Sequence, residues 1–204
     1  MAREKWLYHF RKGLKLYIVG NLPDASDEFE KALKLNPGNS DCNLWVGKCM
    51  AEFASYDGAM ERFDVAIELC PTNHLAHFEK GDMLAMMGRL DEALAEMGKA
   101  IALDPENADY HYYKALVLLA MGRHDVALME IDNALKMRDT PYLHFARVEV
   151  LVHLKRIKEA EEEHCLVKDV ERIGWKKHPL RYSGYVEIMR GFELEQLSAN
   201  SNRS

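Results

Sequence analysis

The sequence repeats its pattern of small and bulky apolar residues every 34 positions, and this period constrains the fold more than any other feature. Pro37, Pro71 and Pro105 stand 34 residues apart. Four further ladders keep the same step: Ala25, Ala59, Ala93 and Ala127, continued by Ala160 after 33 residues; Ala32, Ala66, Ala100 and Ala134; Phe29, Phe63, Met97 and Ile131; Leu33, Ile67, Ile101 and Leu135. Several ladders with one period indicate an array of similar units, each packed mainly on its neighbours.

Each unit has the pattern of two helices. Small and bulky residues that alternate at i, i+4, i+7 and i+8 form one buried stripe on a helix. The alanines allow that helix to approach another to about 8–10 Å. The preceding helix is predicted to stop at a glycine in the left-handed conformation, and the candidates are Gly20, Gly88 and Gly122. Seven residues before the stop a side chain would push the paired helix away, and glycine stands there at Gly13, Gly47 and Gly81.

These features resemble the tetratricopeptide repeat, a helix-turn-helix unit of the same length. That family carries glycine or alanine at the eighth place, alanine at the twentieth and twenty-seventh, and proline at the thirty-second. The matching units begin near Trp6, Ser40, His74, Ala108 and Pro141. The resemblance implies an all-α fold, a right-handed α-α superhelix (solenoid) of about five helix pairs with a C-terminal capping helix.

The register divides the chain into repeats and an end segment. We expect repeats 1 to 4 at 6–39, 40–73, 74–107 and 108–140, and a degenerate fifth repeat at 141–174. The fifth repeat is degenerate because Val148 takes the glycine place and Lys155 the place of the helix stop. Residues 175–197 are expected to form a truncated repeat or capping helix, and 198–204 a disordered tail.

Charge and composition exclude several classes of partner. The net charge is −6, and residues 41–140 carry nine Lys or Arg against eighteen Asp or Glu. This acidic centre disfavours nucleic acid. No apolar run approaches the roughly 18 residues of a membrane span. The charged first residues are not followed by the apolar run and cleavage site of a secretory signal. The four cysteines form no Cys-x-x-Cys motif, so we expect reduced thiols, a cytoplasmic location and no membrane partner.

The resemblance also implies a binding surface. In this family the first helix of each pair lines a concave groove that holds a segment of another protein. The groove places of this sequence hold Phe10, Leu14, Tyr17, Leu44, Lys48, Phe78, Asp82, Tyr112, Leu116 and Phe145. The fifth place of the repeat is aromatic in four of five units, and aromatic anchors suit a helical or extended partner segment with apolar side chains. The same aromatics could instead support helix packing.

The function predicted from this surface is a protein–protein interaction module, acting as an adaptor, assembly factor or chaperone-like scaffold. One alternative is a structural protein that self-assembles into homo-oligomers, and a disfavoured one is an RNA-binding helical repeat. The groove could also be filled by the chain's own segment around Tyr182 and Phe192. The family's basic clamp for chaperone carboxylates is not expected, because its places hold Phe10, Leu14, Trp45, Leu75 and Glu79.

Catalysis, a metal and a cofactor are not expected. The sequence has no phosphate-binding loop, zinc-protease or nucleophile-elbow motif. His9, His77, His111 and His144 form a ladder at the fourth place of the repeat. Successive rungs are a helix pair apart, too far to share one ion. We interpret them as partly buried, hydrogen-bonded residues, whose protonation would loosen the stack below about pH 6.

Overall fold

The computed structural model describes residues 2–167, and this part of the chain is entirely helical, without a strand. Its ten helices are α1 (Ala2–Ile18), α2 (Leu22–Leu35), α3 (Ser40–Glu52), α4 (Tyr56–Leu69), α5 (His74–Met86), α6 (Leu90–Leu103), α7 (Ala108–Ala120), α8 (His124–Met137), α9 (Pro141–His153) and α10 (Ile157–Val167). The chain divides into two compact units, Met1–Val117 and Leu118–Ser204. The capping helix and tail predicted at 175–204 lie outside the described residues.

Consecutive helices pack as antiparallel pairs. In the first unit α1 lies along α2, α3 along α4 and α5 along α6, and in the second unit α9 lies along α10. Neighbouring pairs contact each other through α2 and α3, α4 and α5, and α8 and α9. The predicted all-α fold of consecutive helix-turn-helix repeats is therefore confirmed.

The predicted stripe of small and bulky residues forms the core. Its fully buried members are Ala25, Phe29 and Ala32 on α2, Ala59, Phe63 and Ala66 on α4, Ala93, Met97 and Ala100 on α6, and Ala127, Ile131 and Ala134 on α8. A Cβ atom added to Gly13 would lie 2.7 Å from Cε1 of Phe29, and one added to Gly47 would lie 2.8 Å from Cε1 of Phe63. These glycines are therefore needed for space, as the sequence predicted.

A second repeated contact ties the two helices of a pair, and we call it the polar latch. It consists of His9–Glu28 (Nδ1 to Oε2, 2.7 Å), Asn43–Arg62 (Oδ1 to Nη1, 3.3 Å), His77–Glu96 (Nδ1 to Oε2, 2.6 Å) and His144–Glu163. Hydrogen bonds from His9 and then Lys31 lower the pKa of the buried Glu28 to about 2. The predicted hydrogen bonding of the histidine ladder is confirmed, including His111, whose Nε2 lies 3.4 Å from the carbonyl of Pro105.

Protonation has the opposite effect to the one expected at His144. Its Nδ1 contacts Glu163 and its Nε2 lies 2.7 Å from Oδ1 of Asp139. Although burial disfavours the charge, these two carboxylates raise the pKa of His144 above its ordinary value. A raised pKa means that the folded state binds the proton more tightly than the unfolded state. Protonation at this residue therefore stabilises the fold, and the expectation of loosening is wrong here.

We predict that His144→Gln costs more stability at about pH 6 than at about pH 8.5. The contribution of a group with a raised pKa is fully present below its unfolded pKa and is lost as the pH rises through its folded pKa. The measurement is urea unfolding of both proteins at the two pH values, followed by circular dichroism. A difference between wild type and variant that grows with pH would contradict the assignment.

We also predict opposite effects of exchanging alanine and glycine at two equivalent turns. Gly88 has φ +77°, and Ala54 takes the same left-handed conformation with φ +59°. This conformation costs about 1–2 kcal/mol in a residue with a Cβ, against an entropic cost of about 0.5–1 kcal/mol for glycine. Ala54→Gly should raise the free energy of unfolding by up to about 1 kcal/mol, and Gly88→Ala should lower it by a similar amount. A fall in stability for Ala54→Gly, measured by urea unfolding, would contradict this reasoning.

Candidate partner-binding surface

Nine of the ten residues predicted to bind a partner lie in the first unit, on its odd-numbered helices. Phe10, Leu14 and Tyr17 lie on α1, Leu44 and Lys48 on α3, Phe78 and Asp82 on α5, and Tyr112 and Leu116 on α7. They occupy equivalent places of successive repeats, so the packing of the pairs presents them in the same register. Phe145, the tenth residue, lies on α9 in the second unit.

Burial divides these residues into two groups. Leu44, Tyr112 and Phe145 are only 1–3% exposed and pack within the protein. Phe10 is half-buried against Phe29 of α2, with 5.7 Å between the ring centroids. The other predicted residues, Leu14, Tyr17, Lys48, Phe78, Asp82 and Leu116, are likewise half-buried. The partly exposed residues have surface to offer a partner, and the three buried ones support the helices that carry them.

A cation surrounded by aromatic rings forms the middle of this surface, and we call it the Lys48 cluster. The Nζ atom of Lys48 lies 4.9 Å from the ring centroid of Trp45 and 5.9 Å from that of Tyr17. It also forms an ion pair with Glu79. The Tyr17 hydroxyl donates a hydrogen bond of 3.3 Å to Oε1 of Glu52. Burial, and then the charges of Glu52 and Glu79, raise the pKa of Tyr17, so its hydroxyl remains a donor at neutral pH. The cluster joins α1, α3 and α5.

A second group of rings, the Phe78 cluster, lies between α5 and α7. Phe78 stacks on Tyr110 with centroids 4.8 Å apart and meets Tyr113 edge-on at 4.9 Å. The Tyr110 hydroxyl lies 2.7 Å from Nδ1 of His74, and burial is the main cause that raises the pKa of Tyr110. Because Phe78 and Tyr113 are half-buried, the cluster leaves part of its aromatic surface accessible.

Trp45, Glu79 and Tyr113 belong to these clusters but were not among the predicted site residues. All three stand at the sixth place of the repeat, next to the fifth-place residues that were selected. A local signal existed for Trp45, because residues i and i+3 share a helix face and Lys48 is its i+3 neighbour. Glu79 could not be found in this way, since its contact with Lys48 joins two different helix pairs.

The side chains of this surface are aromatic, aliphatic and charged. In the part of the chain that the structure describes, no three His, Cys, Asp or Glu residues are placed to hold a metal ion. Burial raises the pKa of Cys42 to about 12 and that of Cys49 to about 11, so both thiols stay protonated at neutral pH. No helix within residues 2–167 is both long and apolar enough to span a membrane.

Comparison with known proteins gives matches to one family. Models described as tetratricopeptide repeat match residues 6–39, 63–95 and 114–167, and a model described as TPR repeat matches 81–122. None of the curated proteins compared with the chain matches it.

Solved structures with the same fold share little sequence with this chain. PilF of Pseudomonas aeruginosa is 20% identical, with a TM-score of 0.76 over 82% of this chain and 77% of its own. Residues 41 to the end of MamA from Desulfovibrio magneticus RS-1 are 18% identical, with a TM-score of 0.71 over 84% and 98%. TTC0263, a thermophilic TPR protein of Thermus thermophilus, is 23% identical, with a TM-score of 0.69 over 80% and 90%. Such low identities show the fold alone.

We predict that Lys48→Met lowers the free energy of unfolding by about 1–3 kcal/mol, because it removes the cation from the rings and leaves Glu79 unpaired in a partly buried place. Lys34→Met is the matched control, since Lys34 pairs with Glu30 at 4.0 Å on an exposed surface, and it should change stability by less than about 0.5 kcal/mol.

Urea unfolding of both variants and of Lys48→Met combined with Glu79→Gln provides the test. Glu79→Gln removes the unpaired carboxylate and should therefore restore part of the free energy of unfolding that Lys48→Met loses. Equal effects of Lys48→Met and Lys34→Met would show that the Lys48 cluster contributes nothing beyond a surface ion pair.

Proposed function

Because the chain belongs to the tetratricopeptide-repeat family, we propose that it binds a segment of another protein along the odd-numbered helices of its first unit. The role that fits is an adaptor, an assembly factor or a chaperone-like scaffold. A cytoplasmic location belongs to the same proposal, supported by four cysteines that are all free, as is usual in a reducing compartment.

The observation that carries the proposal is the half-buried row on α1, α3, α5 and α7. Its members are Phe10, Leu14, Tyr17, Lys48, Phe78, Asp82 and Leu116. Half-buried aromatic and aliphatic residues can cover a partner's apolar side chains without first losing their own packing, which keeps the cost of ordering low. The rings of the Phe78 cluster hold one another in place, so a partner meets a preformed surface.

Charged groups in the row and beside it favour a defined orientation of the partner. Lys48 is already held by Glu79 and two rings, and Glu52 accepts a hydrogen bond from Tyr17. Polar groups fixed in this way contribute more to specificity than to affinity. A helix or an extended segment with two or three apolar anchors, separated by polar residues, fits such a row.

The proposal is tested with Phe78→Ser combined with Leu116→Ser. Both side chains are half-buried, so the variant removes contact surface while the fully buried Leu44 and Tyr112 remain. We expect it to keep its helical circular dichroism and lose the partner. The loss of binding free energy should be about 2 kcal/mol or more if Phe78 acts as an anchor.

The matched control is Leu69→Ser combined with Leu103→Ser, which changes two exposed leucines at the ends of even-numbered helices. Affinity capture from the source cell extract, followed by mass spectrometry, should recover the same partner with wild type and control. Capture of that partner by the folded Phe78→Ser, Leu116→Ser variant would refute the proposal. A mass in light scattering that rises with concentration in wild type, but not in this variant, would favour self-assembly through the surface.

A further inference from the structure

The turns inside the three helix pairs of the first unit expose apolar side chains. We call these five side chains the apolar turn row: Ile18 (81% exposed), Val19 (75%), Phe53 (51%), Met86 (46%) and Met87 (44%). The row lies at the C-terminal ends of α1, α3 and α5. The ends of α1 and α3 are neighbours, since Tyr17 beside Ile18 donates its hydrogen bond to Glu52 beside Phe53, and α3 in turn contacts α5.

The turn residues at the opposite end of the same pairs are polar, although the helices that lead into them end on leucines of 40–47% exposure, Leu35, Leu69 and Leu103. The turn sequences are Pro37-Gly38-Asn39, Pro71-Thr72-Asn73 and Pro105-Glu106-Asn107. Asn39 accepts a hydrogen bond from the backbone N–H of Cys42, and Asn73 from that of Ala76. Polar turn residues of this kind satisfy the backbone and face water. The row differs from this end in having apolar residues within the turn itself, Val19, Phe53 and Met87, and in the 75–81% exposure of Ile18 and Val19. These differences need a separate explanation.

The local backbone does not supply that explanation. The reversal is made by the residue after the row, which is Gly20, Ala54 or Gly88, each with positive φ. The apolar contact that often accompanies such a helix end involves the residue after the left-handed one. That residue is polar in all three turns, where Asn21, Ser55 and Arg89 donate their N–H groups back to Leu16, Met50 and Leu84. The row is therefore exposed apolar surface that the turns themselves do not require, and such surface commonly marks an interaction site.

The charges around the row indicate the chemistry of what covers it. The helix turns that flank the row hold the acidic residues Asp24, Glu52, Asp57, Asp91 and Glu92 and the basic residues Lys15 and Arg89, with Lys48 one turn before Glu52 and paired with Glu79. Arg89 is moreover bound to Glu92 at 2.7 Å. Carboxylates beside an apolar row attract a cationic partner and repel the anionic surface of a membrane.

We propose that the apolar turn row is a second docking surface, which takes a cationic amphipathic helix of another protein. The ends of α1, α3 and α5 are expected slightly more than the about 8–10 Å of directly packed helices apart, because few close backbone contacts join these helices. Residues seven apart on a helix are about 10.5 Å apart along its axis. A helix with apolar residues at i, i+7 and i+14 and with Lys or Arg beside them therefore matches the three rungs of the row. This surface is separate from the half-buried row of the proposed function.

The test uses the full chain and two synthetic 18-residue helical peptides labelled with a fluorophore, one of Leu and Lys and one of Leu and Glu in the same order. Fluorescence anisotropy should show that the Leu/Lys peptide binds and that the Leu/Glu peptide does not. The triple variant Val19→Ser, Phe53→Ser, Met87→Ser should bind the Leu/Lys peptide with an affinity about tenfold lower, or lower still. The matched control changes three leucines of similar exposure at the other end, Leu35→Ser, Leu69→Ser and Leu103→Ser, and should bind as wild type does.

A second variant keeps the test informative if the triple variant loses its helical circular dichroism. The double variant Asp57→Asn, Asp91→Asn leaves every apolar side chain in place. Its affinity for the Leu/Lys peptide should fall severalfold at low salt and by less at high salt.

Several results would overturn the proposal. Wild-type binding by the folded triple variant, equal binding of both peptides, or an unchanged affinity in the aspartate variant would each do so. A loss of peptide binding in Phe78→Ser, Leu116→Ser but not in the row variant would move the peptide to the other surface. Binding to phosphatidylcholine vesicles that is lost in the row variant would assign the row to a membrane surface. A dimer that is lost in the row variant would assign it to a second copy.

Discussion

The close approach of the two helices within each pair is the contact on which the rest of the structure depends. Where Phe29 or Phe63 fills the space beside a glycine, a single Cβ on Gly13 or Gly47 would overlap the ring. The alanines on either side of each ring are fully buried, so the second helix can lie directly against the first. Because the same contact recurs after 34 residues, each new pair meets its neighbour in the same way. The equivalent side chains therefore fall into rows.

A polar contact, the polar latch, also joins the two helices of a pair. The latch between the fourth place of the first helix and a residue nineteen positions later is made by a histidine and a glutamate at His9, His77 and His144. At Asn43 it is made by an amide and an arginine. Both versions give a buried polar group a partner, which such a group requires. The repeat thus tolerates a change of chemistry at this place as long as the hydrogen bond is kept.

The same repetition produces two different surfaces in the first unit. The row on the odd-numbered helices is half-buried, and its rings and charges already bind one another, as Lys48 and Phe78 do. The apolar turn row is the more exposed of the two. A protein with both surfaces could hold two segments at once, which is a property expected of an adaptor.

The sequence by itself determined the helix pairs, their order, the glycines that make room and the alanine stripe, because these follow from local periodicity and from the size of single residues. It also selected the helix faces on which the candidate site lies. Only the tertiary structure decided which residues of those faces remain accessible. Leu44 and Tyr112 share a register with Phe10 and Phe78, yet they are buried while the other two are not. The physical reason is that exposure and ion pairing depend on neighbours from other repeats, such as Glu79 beside Lys48, and the pattern within one repeat contains no information about them.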